Sequence, residues 1–341
     1  MRIAVIASPV TPLRPVQAGG AQAMVTDIAT GLTRRGHSVQ LFCAEGSEVP
    51  GVDLLMVPNP GDAAALVMPG GPPPPPSPRV RAAFEAMFEA MRAGDVDVVS
   101  QHAFDAPAFD LAKDLPVLHT LHLPPLVPAV VEAAARVPAA SLATVSESCL
   151  RSWTAAGVGV GRVLRNGVAE IQVGSPTVDR VALVAGRISP EKGIEHALRA
   201  ARLAGLGVRI AGALYDATYR VDMDGADVMG PLTREELRRV MASSAVTVCA
   251  VRWDEPFGLV AAEAQMAGCP VAAYRRGALP EVVEEGVSGV LADPDDVDAL
   301  ARAIKECLNL DRRLVRSSAR RRLGLEAALD RYEVALAEVA R

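Results

Sequence analysis

Two short stretches of this sequence set charged residues around what look like helix starts. In GRISPEKG at 186–193, Arg187 and Lys192 stand five apart around a Ser-Pro pair. Proline suits the first helical position because it has no amide to leave unpaired there. Two cations and a helix N-terminus at one place make an anion site. The competing reading is a pair of ordinary surface cations, yet of the 35 basic residues only Lys113, Lys192 and Lys305 are lysines. In EPFGLVAAE at 255–263, Pro256 and the apolar run after it predict a second helix start, with Glu255 and Glu263 on either side. A glutamate near a helix start stabilises it by about 0.3–1 kcal/mol with no ligand at all. The other reading is that the two carboxylates accept hydrogen bonds from neutral hydroxyls, which charged acceptors hold more strongly than neutral ones do.

Weaker signals lie in the first half. Gly19 and Gly20, in AGG at 18–20, precede a helix-like stretch and would let backbone amides approach a phosphate. The pattern is not GxGxxG, which disfavours a nicotinamide dehydrogenase. His122, in HLPP at 122–125, follows the apolar run PVLHT, while His119 points to the opposite face of the same strand and reads as packing. For His122 a structural and a functional role stand side by side, and His102 shares its strand-end position with less support. Carboxylate pairs of the DxD type begin at Asp95, Asp222, Asp293 and Asp296. None both closes a strong strand and opens a loop, so no metal site is expected.

The elements that must position these residues are short apolar runs alternating with longer amphipathic stretches, the pattern of parallel βα units buried on both faces. The runs are RIAVIAS, SVQLFCA, VDLLMVP, VDVVSQH, PVLHTLH and SLATVS, then VALVAGR, GVRIAGA, ADVMGP, AVTVCAV, PVAAYR and GVLADP. The fold class is α/β, and 341 residues suffice for two doubly wound, Rossmann-like domains. The expected division is 1–165, a linker and hinge at 166–179 with Gly174, Ser175 and Pro176 at its centre, 180–325, and a C-terminal helix at 326–341 packing back on the first domain. The proline-rich stretch 69–78 reads as an extended surface loop, and the arginine-rich 312–322 as a solvated helix face.

Net charge is −5 with mixed signs, so nucleic acid is not expected as a partner. Five scattered cysteines, none in a CxxC pair, argue against disulfides and zinc. Neither a signal-peptide core nor an integral membrane segment is apparent, so the expected location is cytoplasmic.

Taken together, GG at 19–20, NGV at 166–168, GRISPEKG at 186–193 and the long run from EPFGLVAAE to GVSG at 255–289 resemble the family 4 retaining glycosyltransferases of GT-B fold. RRGHSV at 34–39 and TVSES at 144–148 are similar to that family too. The resemblance implies two Rossmann-like domains facing each other across a cleft, and transfer of a sugar from a nucleoside diphosphate, UDP by preference, to a hydroxyl of a small molecule or oligosaccharide. It implies no cofactor and no metal. It extends to natural-product branches, such as tailoring of an oligosaccharide antibiotic.

Laid on matching positions, the resemblance implies that Arg187 and Lys192 hold the diphosphate and that Gly19 and Gly20 close over it. Glu263 would take the ribose and Glu255 the sugar, with the amides of Phe257, Gly258 and Leu259 facing sugar and phosphate. His122 would sit beside the sugar near its C6 end, and the base would rest against Gly230, Pro231 and Leu232. CAVRWDEPFG at 249–258 departs from the family's commoner Pro-Ser approach to the first glutamate. Two rivals remain at this point: a sugar-nucleotide epimerase on the same architecture, and a non-catalytic nucleotide-sugar-binding protein.

Overall fold

The computed structural model describes residues 1–16, 19–61, 77–170, 172, 177–215 and 218–341. Each of the twelve apolar runs contains a strand. The chain forms two compact units: Met1–Pro15, Ala21–Arg165 and Glu326–Arg341 make the first, and Val16–Gly20 with Asn166–Leu325 the second. The proposed hinge residues Gly174, Ser175 and Pro176, and most of the proline-rich stretch, lie outside the described residues.

The first unit is built on β1 (Arg2–Ile6), β2 (Ser38–Ala44), β3 (Asp53–Val57), β4 (Val98–Gln101), β5 (Val117–Leu121), β6 (Leu142–Thr144) and β7 (Arg162–Val163). They are parallel, in the order β3-β2-β1-β4-β5-β6-β7. The order reverses between β1 and β4, and such a reversal leaves a crevice at the carboxyl ends of the strands where ligands bind. β4, β5 and β6 are buried along their whole length, as expected for strands covered on both faces. The helix Pro78–Ala93 shows how the sequence dictates its cover. Ser77 caps it by accepting from the Val80 amide, proline opens it, and Phe84, Met87, Phe88 and Met91 form one buried stripe. Residue 326 onward belongs to this unit, where the Arg35 guanidinium donates to Glu326, Asp330 and Glu333 at 2.6–2.8 Å.

The second unit is built on β8 (Asp179–Ala185), β9 (Gly207–Ala211), β10 (Ala226–Gly230), β11 (Ser244–Cys249), β12 (Val271–Tyr274) and β13 (Gly289–Ala292). Their order is β10-β9-β8-β11-β12-β13, again parallel, with the reversal between β8 and β11. Its core packs Ile210, Val246, Tyr274, Leu300 and Ile304 around the sheet. All five cysteines are free and buried. Among the described residues no helix is long and apolar enough to cross a membrane.

Candidate functional site

The second sheet's reversal point carries both charged stretches. Arg187 follows β8 by two residues. Ser189 then turns the chain, Pro190 opens a single 3-10 turn ending at Lys192, and Gly193 leads into the helix Ile194–Leu203. Gly193 has φ of 63°, and a Cβ there would lie 2.0 Å from the Ala250 carbonyl oxygen, so only glycine lets this turn press against the end of β11. That approach brings Lys192 to the loop after β11, where its ammonium donates to Glu255 Oε2 at 2.7 Å. The Trp253 indole N–H donates to the same oxygen at 2.8 Å, and the ammonium lies 5.5 Å from the Trp253 ring centre. Arg187 Nη2 is 3.4 Å from Glu191 Oε1, and its guanidinium stacks 4.7 Å from the centre of the Tyr215 ring. Glu191 is itself held by the Ser189 hydroxyl at 2.6 Å. Both cations therefore stand fixed, each beside one carboxylate.

Pro256 does not open a helix. The helix is Leu259–Met266, and its start is set by Gly258, which sits at φ 90° in the left-handed region where a proline-led helix start could not go. No side chain caps the helix, so the first-turn amides at and after Leu259 point out unpaired by any cap. A cavity of about 30 Å³ lies between Lys192, Glu255, Gly258, Ala261 and Leu279. A larger one, about 290 Å³, lies in the first unit beside Phe109 and Arg136, and of the residues singled out in the sequence only His119 and Lys113 line it.

Glu263, on the same helix, is buried, and Arg234 donates to its Oε1 through Nε and Nη2 at 2.9 and 2.8 Å, with Arg238 Nη2 at 3.6 Å. Sequence reasoning missed both arginines. They come from the helix Arg234–Ser243, whose start is fixed by a capping box between Thr233 and Glu236. That helix begins directly after Gly230, Pro231 and Leu232 at the end of the edge strand β10, so the stretch assigned to the base leads straight to the side chains that hold Glu263. Gly20 opens the helix Gly20–Arg34.

In the first unit His122 follows β5 directly and is buried. Its Nε2 is 2.9 Å from His102 Nδ1, and His102 Nε2 is 2.9 Å from Ser100 Oγ. Desolvation pushes the His122 imidazole down to about 4 and His102 well below its ordinary value, so both are neutral near pH 7. The chain after His122 is anchored by the Trp153 indole N–H, which donates to the Leu123 carbonyl at 2.9 Å. His119 is a packing residue, stacked 4.7 Å from Phe109 with its Nδ1 3.3 Å from Gln101 Oε1. Of the DxD carboxylates, Asp97 binds Arg2, Asp295 binds Arg276, and Asp296 caps the helix Val297–Cys307.

Two doubly wound parallel sheets, each reversing its strand order beside its first strand, make a GT-B type pair of Rossmann-like domains. Residues 18–169 match the family model described as Glycosyltransferase Family 4, and residues 169–327 match that described as Glycosyl transferases group 1. The chain is 30% identical to a D-inositol 3-phosphate glycosyltransferase of Mycobacterium avium, over 89% of this chain and 84% of that one. It is 38% identical to another of that description from Mycolicibacterium smegmatis, over 40% of this chain and only 34% of the relative. Among solved structures it superimposes on AviGT4, a glycosyltransferase involved in Avilamycin A biosynthesis, with a TM-score of 0.73 at 22% identity, covering 99% of this chain and 97% of that one. Anabaena Alr3699/HepE in complex with UDP-glucose gives a TM-score of 0.75 at 19% identity, covering 98% and 99%. The chain belongs to the group 1, family 4 glycosyltransferases.

Proposed function

We propose that the protein is a retaining glycosyltransferase that moves a sugar from UDP to a hydroxyl acceptor, with cationic side chains rather than a metal ion stabilising the leaving diphosphate. The observation that carries this reading is the pairing at the second sheet's reversal point: Lys192 on Glu255 at 2.7 Å and Arg187 beside Glu191 at 3.4 Å. A diphosphate entering there takes the cations, and the freed Glu255 can accept from sugar hydroxyls. As the glycosidic bond opens, negative charge grows on the departing phosphate, where the two cations and the amides of Phe257, Gly258 and Leu259 wait, and charge stabilisation of this kind is commonly the largest catalytic contribution. The departing phosphate oxygen then takes the acceptor's proton.

In the same reading Glu263 holds the ribose, Gly230, Pro231 and Leu232 meet the base, Gly19 and Gly20 meet the phosphates, and His122 meets the sugar. The acceptor proposed is a small polyol or sugar, in line with relatives described as acting on D-inositol 3-phosphate and with AviGT4 in Avilamycin A biosynthesis. A cytoplasmic setting accords with five buried free thiols. The test is incubation with UDP-glucose, with and without a panel of polyols, in EDTA. Transfer with the donor's anomeric configuration kept is expected. Inversion, dependence on added manganese, or isomerisation of the donor without an acceptor would overturn the proposal. Thermal shift with UDP, GDP, ADP and dTDP fixes the base, since a ligand at 100 times its Kd adds about 2.7 kcal/mol.

A further inference from the structure

His122 ends a buried chain of hydrogen bonds whose proton order can be worked out. Ser100 lies within β4, His102 immediately follows that strand, and His122 immediately follows β5. Adjacent parallel strands thus bring residues twenty apart in sequence to 2.9 Å. The far face of His102 is covered by Tyr332, 6.1 Å between ring centres, and the Tyr332 hydroxyl donates to Thr120 Oγ1 at 3.5 Å. Ser100 is fully buried and His102 and His122 nearly so.

A neutral imidazole carries one N–H and one acceptor nitrogen. Two proton arrangements therefore satisfy the chain between the rings. In one, the Ser100 hydroxyl donates to His102 Nε2, His102 Nδ1–H donates to His122 Nε2, and the remaining proton of His122 sits on Nδ1. In the other, every bond is reversed: His122 Nε2–H donates to His102 Nδ1, and His102 Nε2–H donates to Ser100 Oγ. The reversed order leaves the Ser100 hydroxyl hydrogen to find another acceptor, and among the described residues its oxygen has no second partner. A buried donor left without an acceptor carries its full desolvation cost, whereas His122 Nδ1 is not among the fully buried side-chain atoms that lack a partner, so its proton escapes that cost and the first arrangement prevails.

We infer that Ser100 and His102 are positioning residues that hold His122 in the tautomer with its proton on Nδ1, so that it meets substrate as a neutral hydrogen-bond donor. Its partner is then a sugar hydroxyl or ring oxygen, not a proton to be abstracted. This inference rests on the assignment of His122 to the sugar.

The experiment is a two-bond nitrogen–proton correlation spectrum of the full chain labelled with nitrogen-15 histidine, with His122 identified by the signals lost in His122→Gln. The expected pattern has Nδ1 at a protonated-nitrogen shift and Nε2 at an unprotonated one. Ser100→Ala makes the two proton orders comparable, so His122 should become a mixture of tautomers, with kcat lower by about tenfold, less than the loss expected from removing a donor outright. KM for the donor should change little, and Ser100→Thr should restore both spectrum and kcat. A proton on Nε2 in the unaltered protein, or a His122 spectrum unmoved by Ser100→Ala, overturns the inference. If the tautomer is as stated but UDP-glucose leaves the His122 signals where they were, the sugar contact fails and the tautomer assignment stands.

Discussion

The two sheets share a strand order, and each reverses it next to its first strand, yet their carboxyl edges hold opposite kinds of chemistry. At the first sheet the linked groups are neutral: Ser100, His102 and His122 are joined end to end, and desolvation removes the charge from both rings. At the second sheet the groups are ions held in pairs: Lys192 on Glu255, Arg187 beside Glu191, Arg234 on Glu263. The difference follows from what surrounds each edge. A histidine with only polar neutral neighbours gives up its charge on burial, whereas the lysine and the arginines at the second edge each lie against a carboxylate. In the proposed reading the neutral edge meets hydroxyls and the ionic edge meets a diphosphate.

The largest effects should come from making the ionic edge neutral. Arg187→Ala and Lys192→Ala are each expected to lower kcat by about 10²-fold, the loss typical of one preorganised donor to developing charge. Initial rates with UDP-glucose measure this, and unchanged kcat in both variants would remove the diphosphate assignment. Next come the carboxylates, which should separate by parameter. Glu255→Gln should depress kcat, because in the proposed reading the sugar it takes is where the bond breaks. Glu263→Gln should mainly raise the donor KM, by about tenfold, since ribose contacts are alike in ground and transition states. The reverse pattern would exchange the two roles. Arg234→Gln, which leaves Arg238 near Glu263, should raise the same KM by less, roughly threefold, corresponding to loss of one modest hydrogen bond.

Much of this framework was legible in sequence, for reasons that also mark where legibility stopped. Strands such as Val117–Leu121 announce themselves because parallel strands covered on both faces are continuous apolar runs. Arg162–Val163 escaped because two residues make no run at all. The start of Leu259–Met266 was misplaced since proline signals a helix start locally, while the actual start depends on the left-handed Gly258. The arginines on Glu263 and the partner of His122 were out of reach for a different reason. Arg234 and Glu263 are 29 residues apart, and only the tertiary packing of their helices joins them. His102 and His122 meet because β4 and β5 are neighbours, a fact of sheet order that a list of apolar runs does not contain.

The last expected effect is on stability rather than turnover, and it tests the neutral edge directly. The folded first unit keeps His122 at about 4 and His119 at about 3, against 6.5 for an unperturbed histidine, with desolvation the leading cause in each. Below pH 6.5 the unfolded chain therefore binds protons that the folded unit refuses. The stability these histidines contribute is fully present above that pH and declines as pH falls toward the folded values, by up to about 1.4 kcal/mol per pH unit for each, while the Asp105 carboxyl, pushed up to about 6 by desolvation, works the other way as a single group. In the second unit His196 is also lowered, but it is less buried, so its share is smaller. The two tryptophans separate the units, Trp153 lying in the core of the first and Trp253 in the second. In Trp253→Phe the remaining fluorescence reports the first unit alone, and its denaturation midpoint should be flat from pH 8 to 7 and fall between pH 6.5 and 5. Adding His119→Phe, which keeps a ring against Phe109 but cannot take a proton, should make that fall less steep whatever it does to the midpoint at pH 7. A midpoint unchanged down to pH 5, or the same slope with and without His119, would mean that these imidazoles are not held neutral by the fold, and the contrast between the two edges would lose its physical basis.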